Sequence, residues 1–291
     1  MTEVLVLIDP GASTIRSAPL NSPQLPVTDL AAHRGDGIFE TVLVRVDPAT
    51  REPTVVSRER HFARFHSSAS ALDLPEPDRR LWRQAVDTVV AETIKANPGV
   101  TEFAVRYSLS RGTDTPRGWA FSLPIEDSIV TARAEGVRAV SIDRGFPAYL
   151  GRTSPWLLLG AKTLSYAVNQ AALRYARAQG VDEVVFVSHD GIVLEGPTSN
   201  IVIRRGDHLL TPDPTAGLLA GTTQRLLFDH AGRLELRADF ADLSLDDVHA
   251  ADGAWLVSSV RTAVTLRELD GRELNRDEAL TREFQRIIAA G

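Results

Sequence analysis

Cysteine is absent from this sequence, and with it go disulfides, thiolate nucleophiles and cysteine metal sites. Any covalent chemistry must use another side chain. Long apolar runs are missing too, so nothing in the sequence has the length of a membrane-spanning helix. The first apolar run, from Val4 to Ile8, has no basic flank before it and stops at Asp9-Pro10, which reads as a strand rather than a signal peptide. The expected location is therefore the cytoplasm. An excess of positive charge is lacking as well: the formal net charge is -6, which excludes the footprint of a nucleic-acid binder. No membrane or nucleic-acid partner is expected, and the partner that remains is a small molecule.

The scarcest cation is lysine. Of 32 basic residues only Lys95 and Lys162 are not arginine, and Lys162 stands in the apolar run Pro155-Trp156-Leu157-Leu158-Leu159-Gly160-Ala161-Lys162-Thr163-Leu164. Arginine stays protonated at any accessible pH, whereas a desolvated lysine amine can lose its proton and attack a carbonyl. Lys162 is thus a candidate Schiff-base nucleophile. The ordinary alternative is a snorkelling side chain, with its stem on apolar surface and its ammonium in water.

Hydrophobic content of 43% and charged content of 24% are those of a globular protein long enough for two domains. The pattern predicts a small α+β domain over 1–123, a polar connection over 124–136 and a larger mixed domain over 137–291. In the first, Ile38 to Val46 and Thr54 to Ser57 read as a hairpin broken at Asp47-Pro48. Glu59 to Leu72 and Asp78 to Ala96 carry helical spacing, the second stopped by Asn97-Pro98-Gly99. Phe103 to Leu109 and Trp119 to Leu123 read as strands. In the second, a strand over Val137 to Ile142 precedes a helix over Thr163 to Gln179, with Leu164, Ala167, Val168, Ala171, Ala172 and Tyr175 on its apolar face. Strands follow at Glu183 to Val187, Ile192 to Glu195, Ile201 to Arg205 and Ala254 to Ser258. A helix opens at Gly221-Thr222-Thr223 and another closes the chain from Asp277.

Further groups suit the chemistry of an amine nucleophile. On the expected helix Tyr166 lies one turn from Lys162. Glu195 ends an apolar strand at a glycine turn, either simply exposed or holding a cation such as a protonated pyridine nitrogen. Gly221-Thr222-Thr223 offers free N–H groups and hydroxyls at a helix amino terminus, fit for a phosphate or for an ordinary cap. Ser258 and Ser259 add hydroxyls, and Arg64 could grip an anion.

In their order along the chain these segments resemble the fold-type IV pyridoxal-phosphate enzymes, which include branched-chain and D-amino-acid aminotransferases and 4-amino-4-deoxychorismate lyases. The resemblance runs through Arg34-Gly35-Asp36-Gly37-Ile38-Phe39-Glu40-Thr41, His61-Phe62-Ala63-Arg64-Phe65, Lys162, Glu195-Gly196-Pro197-Thr198-Ser199-Asn200 and Gly221-Thr222-Thr223. It implies a two-domain α+β fold whose larger domain is a mixed, barrel-like sheet, a homodimer, and pyridoxal 5'-phosphate as cofactor. By the same resemblance Lys162 carries the cofactor and Glu195 pairs with its ring nitrogen. Arg64, Thr222, Thr223, Ser258 and Ser259 would hold its phosphate, and Tyr166 would line the ring.

Substrate residues are implied by Ser110-Arg111-Gly112-Thr113-Asp114-Thr115-Pro116-Arg117-Gly118-Trp119. The loop keeps an arginine of the D-amino-acid enzymes as Arg117 but has Trp119 where they have histidine, and Phe39 stands where they have tyrosine. Arg111, Arg117, Trp119 and Phe39 are the expected substrate contacts. This ending is similar to the aminodeoxychorismate lyases, so the expected activity is elimination of pyruvate to give 4-aminobenzoate for folate synthesis. The alternative is transamination of D-amino or branched-chain acids. A non-catalytic relative would lack the lysine or the acid, and both are present.

Overall fold

The computed structural model describes residues 1–291 and divides into two compact units. One comprises Met1–Glu126, Ala161–Tyr166 and Gly291; the other comprises Asp127–Gly160 and Ala167–Ala290. No helix is long and apolar enough to cross a membrane.

The first unit contains β1 (Leu5–Asp9), β2 (Thr14–Ala18), α1 (Leu30–Arg34), β3 (Gly37–Val46), β4 (Pro53–Val55), α2 (Arg58–Ala71), α3 (Arg79–Ala96), β5 (Glu102–Ser110) and β6 (Arg117–Leu123). Its six strands form an antiparallel sheet in the order β2-β1-β6-β5-β3-β4. Side chains alternate across a strand, so the register fixes two faces. On one, Val6, Val42, Val44, Tyr107 and Ala120 are buried, and Phe65 of α2 and Trp82 of α3 stack with Tyr107. The other carries Phe39, Thr41, Arg106 and Trp119: Phe39 pairs with Ser108, Ser108 with Trp119, and Thr41 with Arg106. Helix α3 starts where Asp78 accepts hydrogen bonds from the Arg80 and Leu81 N–H groups.

Residues Ala161–Tyr166 belong to this unit because they extend along the open edge of β3. Thr163 bridges Ile38, the Phe39 N–H donates to the Lys162 carbonyl at 3.0 Å, and the Leu164 N–H donates to the Gly37 carbonyl at 2.8 Å. Backbone groups committed to β3 cannot also close helical turns. The helix expected from Thr163 accordingly starts only at Ala167.

The second unit contains α4 (Asp127–Glu135), β7 (Val137–Asp143), α5 (Ala167–Ala178), β8 (Glu183–Val187), β9 (Asn200–Arg205), β10 (His208–Thr211), α6 (Thr222–His230), β11 (Arg237–Phe240), α7 (Leu245–His249), β12 (Gly253–Ser258), β13 (Thr262–Leu269), β14 (Arg272–Glu273) and α8 (Glu278–Ala290). Its mixed sheet runs β11-β10-β9-β12-β13-β7-β8, with β14 beside β13. The polar stretch over 124–136 holds the helix α4, none of whose residues is buried, which explains its lack of apolar period. Ile192 to Glu195 turns back on β8 through reciprocal bonds between Phe186 and the 194–195 backbone, without forming a continuous strand. The buried face of α5 is Ala172, Leu173 and Ala176; of the expected face only Ala172 is buried, and Val168 and Tyr175 are exposed. Small alanines let α5 sit close on Val184 and Phe186 of β8.

Gly37 is where the lysine segment meets β3: a Cβ there would lie 2.7 Å from the Leu109 carbonyl oxygen and 2.8 Å from Leu164 Cδ1. We expect Gly37→Ala to cost about 1–3 kcal/mol in denaturant unfolding, the range for overpacking a tight site, and to displace Leu164.

Candidate active site

Lys162 is placed by its backbone before its side chain. Its N–H donates to Ser68 Oγ at 3.1 Å and its carbonyl is held by Phe39, so the residue is fastened to both α2 and β3. Its Nζ lies 4.7 Å from the centroid of the Phe39 ring, and Tyr166 meets the same ring edge-on at 5.4 Å. Lys162 and Tyr166 therefore converge on Phe39 from an extended segment, not from successive turns of one helix. Arg106, which the sequence pattern had not singled out, completes the cluster. Its guanidinium carbon is 5.1 Å from the Phe39 centroid and its Nε donates to Thr41 Oγ1 at 3.1 Å. Burial lowers the Arg106 pKa, with Tyr166 acting in the other direction.

The next residue of β3, Glu40, points to the opposite face and is fully buried. It accepts Arg64 Nε at 2.6 Å, Arg64 Nη2 at 2.9 Å and His61 Nδ1 at 2.7 Å. Burial opposes its ionisation, but the Arg64 and His61 charges and hydrogen bonds outweigh that, and its carboxyl is held far below the ordinary value. For His61 burial is the largest influence and lowers its pKa against the pull of Glu40. The expected anion ligand Arg64 is thus oriented by a bidentate carboxylate pair. Glu40 and His61 escaped the sequence reading of the site, although a lone carboxylate inside the apolar stretch Ile38 to Val46 was a usable signal.

In the second unit, Glu195 is half-buried and firmly held. Its Oε2 accepts the Leu219 N–H at 3.1 Å and Asn200 Nδ2 at 3.3 Å, while Asn200 Nδ2 also donates to the Leu219 carbonyl at 2.8 Å. The chain then passes so close to Asn200 that a Cβ on Gly221 would stand 2.1 Å from Asn200 Oδ1. Only glycine fits there. Gly221 caps α6 and, having no side chain, puts no capping group at the start of the helix. Thr222, Thr223 and Gln224 follow, all buried, and Thr222 Oγ1 lies 3.4 Å from Ser259 Oγ. Nearby chain positions leave Gln224 Nε2 and Ser199 Oγ buried without a protein partner. A glycine-narrowed backbone, a helix start without a capping side chain and neutral hydroxyls form a donor set suited to a phosphate. Ser258, the other expected phosphate residue, ends β12 half-buried.

The loop after β5 divides its two arginines. Arg111, expected as a substrate ligand, instead donates Nε to Asp36 at 2.7 Å, Nη1 to the Asp73 carbonyl at 3.2 Å and Nη2 to the Leu72 carbonyl. It is a tie between α1, α2 and the loop. Arg117 is exposed, opens β6, and lines a cavity of about 220 Å³ with Asp9, Thr14, Arg16 and Gln24. Trp119 is half-buried on the face that carries Phe39.

The family described as amino-transferase class IV matches residues 37–269. A bifunctional aminodeoxychorismate lyase / D-amino acid transaminase of Mycobacterium tuberculosis is 43% identical over 264 residues, 87% of this chain and 89% of that protein. A D-alanine aminotransferase of Listeria innocua is 26% identical over 86% of this chain and 84% of its own. Among solved structures, a fold IV transaminase from Curtobacterium pusillum has a TM-score of 0.91 at 39% identity, covering 99% of this chain and 98% of that one. A hypothetical aminotransferase from Mycobacterium tuberculosis, in a PLP-bound form, has a TM-score of 0.89 at 39% identity, covering 98% of each.

The Glu40 pair makes stability pH-dependent. Because the folded state binds this proton less tightly than the unfolded chain, the contribution is complete above the ordinary value of 4.5 and is lost as pH falls below it. Glu40→Gln should cost about 3–5 kcal/mol at neutral pH, as for breaking a buried pair. It should also flatten the loss of unfolding free energy below pH 4.5, measured by denaturant titration across pH.

Proposed function

We propose that this chain, which belongs to the class IV aminotransferase family and is a pyridoxal-phosphate-dependent enzyme, acts as a 4-amino-4-deoxychorismate lyase, releasing pyruvate and 4-aminobenzoate. The observation that carries this reading is the placement of Phe39 and Trp119, each opposite Ser108, on one sheet face with the Lys162 amine over Phe39, in a chain 43% identical to a lyase of that name. A second reading, transamination of D-amino acids, is supported by the other half of that relative's name. Branched-chain substrates are the weaker form of it, resting on a relative from Methanocaldococcus jannaschii at 25% identity.

The residues present fit the cofactor. Lys162 supplies the amine that holds it. Glu195, braced by Leu219 and Asn200, supplies the negative charge a protonated ring nitrogen needs. Thr222, Thr223, Ser258 and Ser259, with the first turn of α6 and Arg64, take its phosphate. When bound, it supplies an electron sink for the charge left at the substrate Cα. Lys162 is the base that removes the Cα proton, and Tyr166 and Phe39 keep water from its amine. Arg117, exposed and without an acidic partner, takes a substrate carboxylate, and Trp119 shapes the pocket for an aromatic product. The family resemblance supports a homodimeric, cytoplasmic enzyme serving folate synthesis.

Purified enzyme given aminodeoxychorismate should release pyruvate and 4-aminobenzoate together; formation of only a new amino acid and a 2-oxo acid from D-alanine or branched-chain donors with 2-oxoglutarate would sink the lyase reading. Borohydride should bleach the visible absorbance and fix cofactor mass on Lys162. Lys162→Ala should lower either activity by at least about 10²–10⁴-fold, the contribution of a positioned base alone.

A further inference from the structure

We propose that Glu183 is a positioning residue for the phosphate-binding turn and acts through Arg261; this rests on the assignment of Thr222 and Ser259 to the cofactor phosphate. Strands β12 and β13 are joined by Ser259, Val260 and Arg261, and the residue that follows, Thr262, has φ of 65°. A β-branched residue takes up this left-handed conformation only where its surroundings force it. The Thr262 hydroxyl is itself buried without a partner, so its own side chain does not explain the strain.

Two clamps on the turn do. Arg261 turns inward and pairs with Glu183, the first residue of β8, whose side chain is fully buried. Arg133 of α4 donates to the Val260 carbonyl. Burial raises the Glu183 carboxyl and Asp182 adds to it, while Arg261 pulls the other way. A carboxylate in such a place is tolerated only with its cation. The clamped turn ends at Ser259, whose hydroxyl stands 3.4 Å from Thr222 at the start of α6. Neutralising Glu183 releases Arg261, lets Thr262 relax out of the left-handed region and draws Ser259 away from Thr222. The phosphate then loses a donor, while the amine at Lys162 and the acid at Glu195 are untouched.

The test compares two ligands that differ only in the phosphate. Full-length protein stripped of cofactor is titrated with pyridoxal 5'-phosphate and with pyridoxal, following the visible absorbance, for the wild type and for Glu183→Gln, Arg261→Lys and Thr222→Ala. Glu183→Gln should weaken pyridoxal 5'-phosphate about tenfold or more and pyridoxal less than about twofold, since breaking a buried ion pair has at least that effect on the group it holds. Equal weakening of both ligands, or no weakening, overturns the proposal. If Glu183→Gln does not fold, Arg261→Lys, which keeps the charge but not the fork, decides by the same ratio. Thr222→Ala separates the two layers: should it leave the ratio of the two affinities unchanged, the phosphate assignment fails and the role of Glu183 with it. A selective loss in Thr222→Ala without one in Glu183→Gln refutes Glu183 alone.

Discussion

The edge of β3 is the constraint on which the first unit's chemistry depends. Two backbone hydrogen bonds, which together make one antiparallel bridge, pin residues 162–164 to Gly37, Ile38 and Phe39. Strand alternation does the rest. Phe39 turns one way, beneath the Lys162 amine, while Glu40 turns the other way into the helices, where it holds Arg64 and His61. Adjacent residues of one strand thus orient the candidate nucleophile, Lys162, and the candidate anion ligand, Arg64, and a shift of one residue in register would exchange their faces.

The second unit achieves its arrangement by crowding. Asn200 braces Glu195 and at the same time presses on Gly221, so the acid and the start of α6 are set by one side chain. Thr222 connects α6 to Ser259, and the turn beyond Ser259 is tied to β8 through Arg261 and Glu183. Polar links of this kind fix the positions of the Glu195 carboxylate and the Thr222 and Ser259 hydroxyls. Their cost is local strain, visible at Thr262.

Much of this was legible in the sequence. The alternation of Ile38 to Val46, the periodicity of α2 and α3, and the stop at Asn97-Pro98-Gly99 are local patterns, and they fold as read. The choice of Lys162, Glu195 and Gly221-Thr222-Thr223 rested on side-chain chemistry at turns, and each sits in a held, partly or fully buried setting. Strand β13 was not read, because Thr262–Leu269 mixes Thr, Arg and Glu with its apolar residues and becomes a strand only between β12 and β7. The helix over 127–135 was missed for the opposite reason, since it buries nothing and so carries no period.

What the sequence determined by itself was the inventory: one lysine set apart from thirty arginines, an acid before a glycine turn, a helix start rich in donors, and no cysteine. These follow from composition and short-range spacing. The tertiary structure alone decided how they are used. It delayed α5 to Ala167 because the 162–164 backbone bonds to β3, and it committed Arg111 to Asp36 and two carbonyls while leaving Arg117 exposed. It also joined Arg64 to Glu40, 24 residues away. In each case the partner is distant in sequence, and a hydrogen bond or ion pair with it orients the group or occupies some of its donors in a way the local pattern does not show.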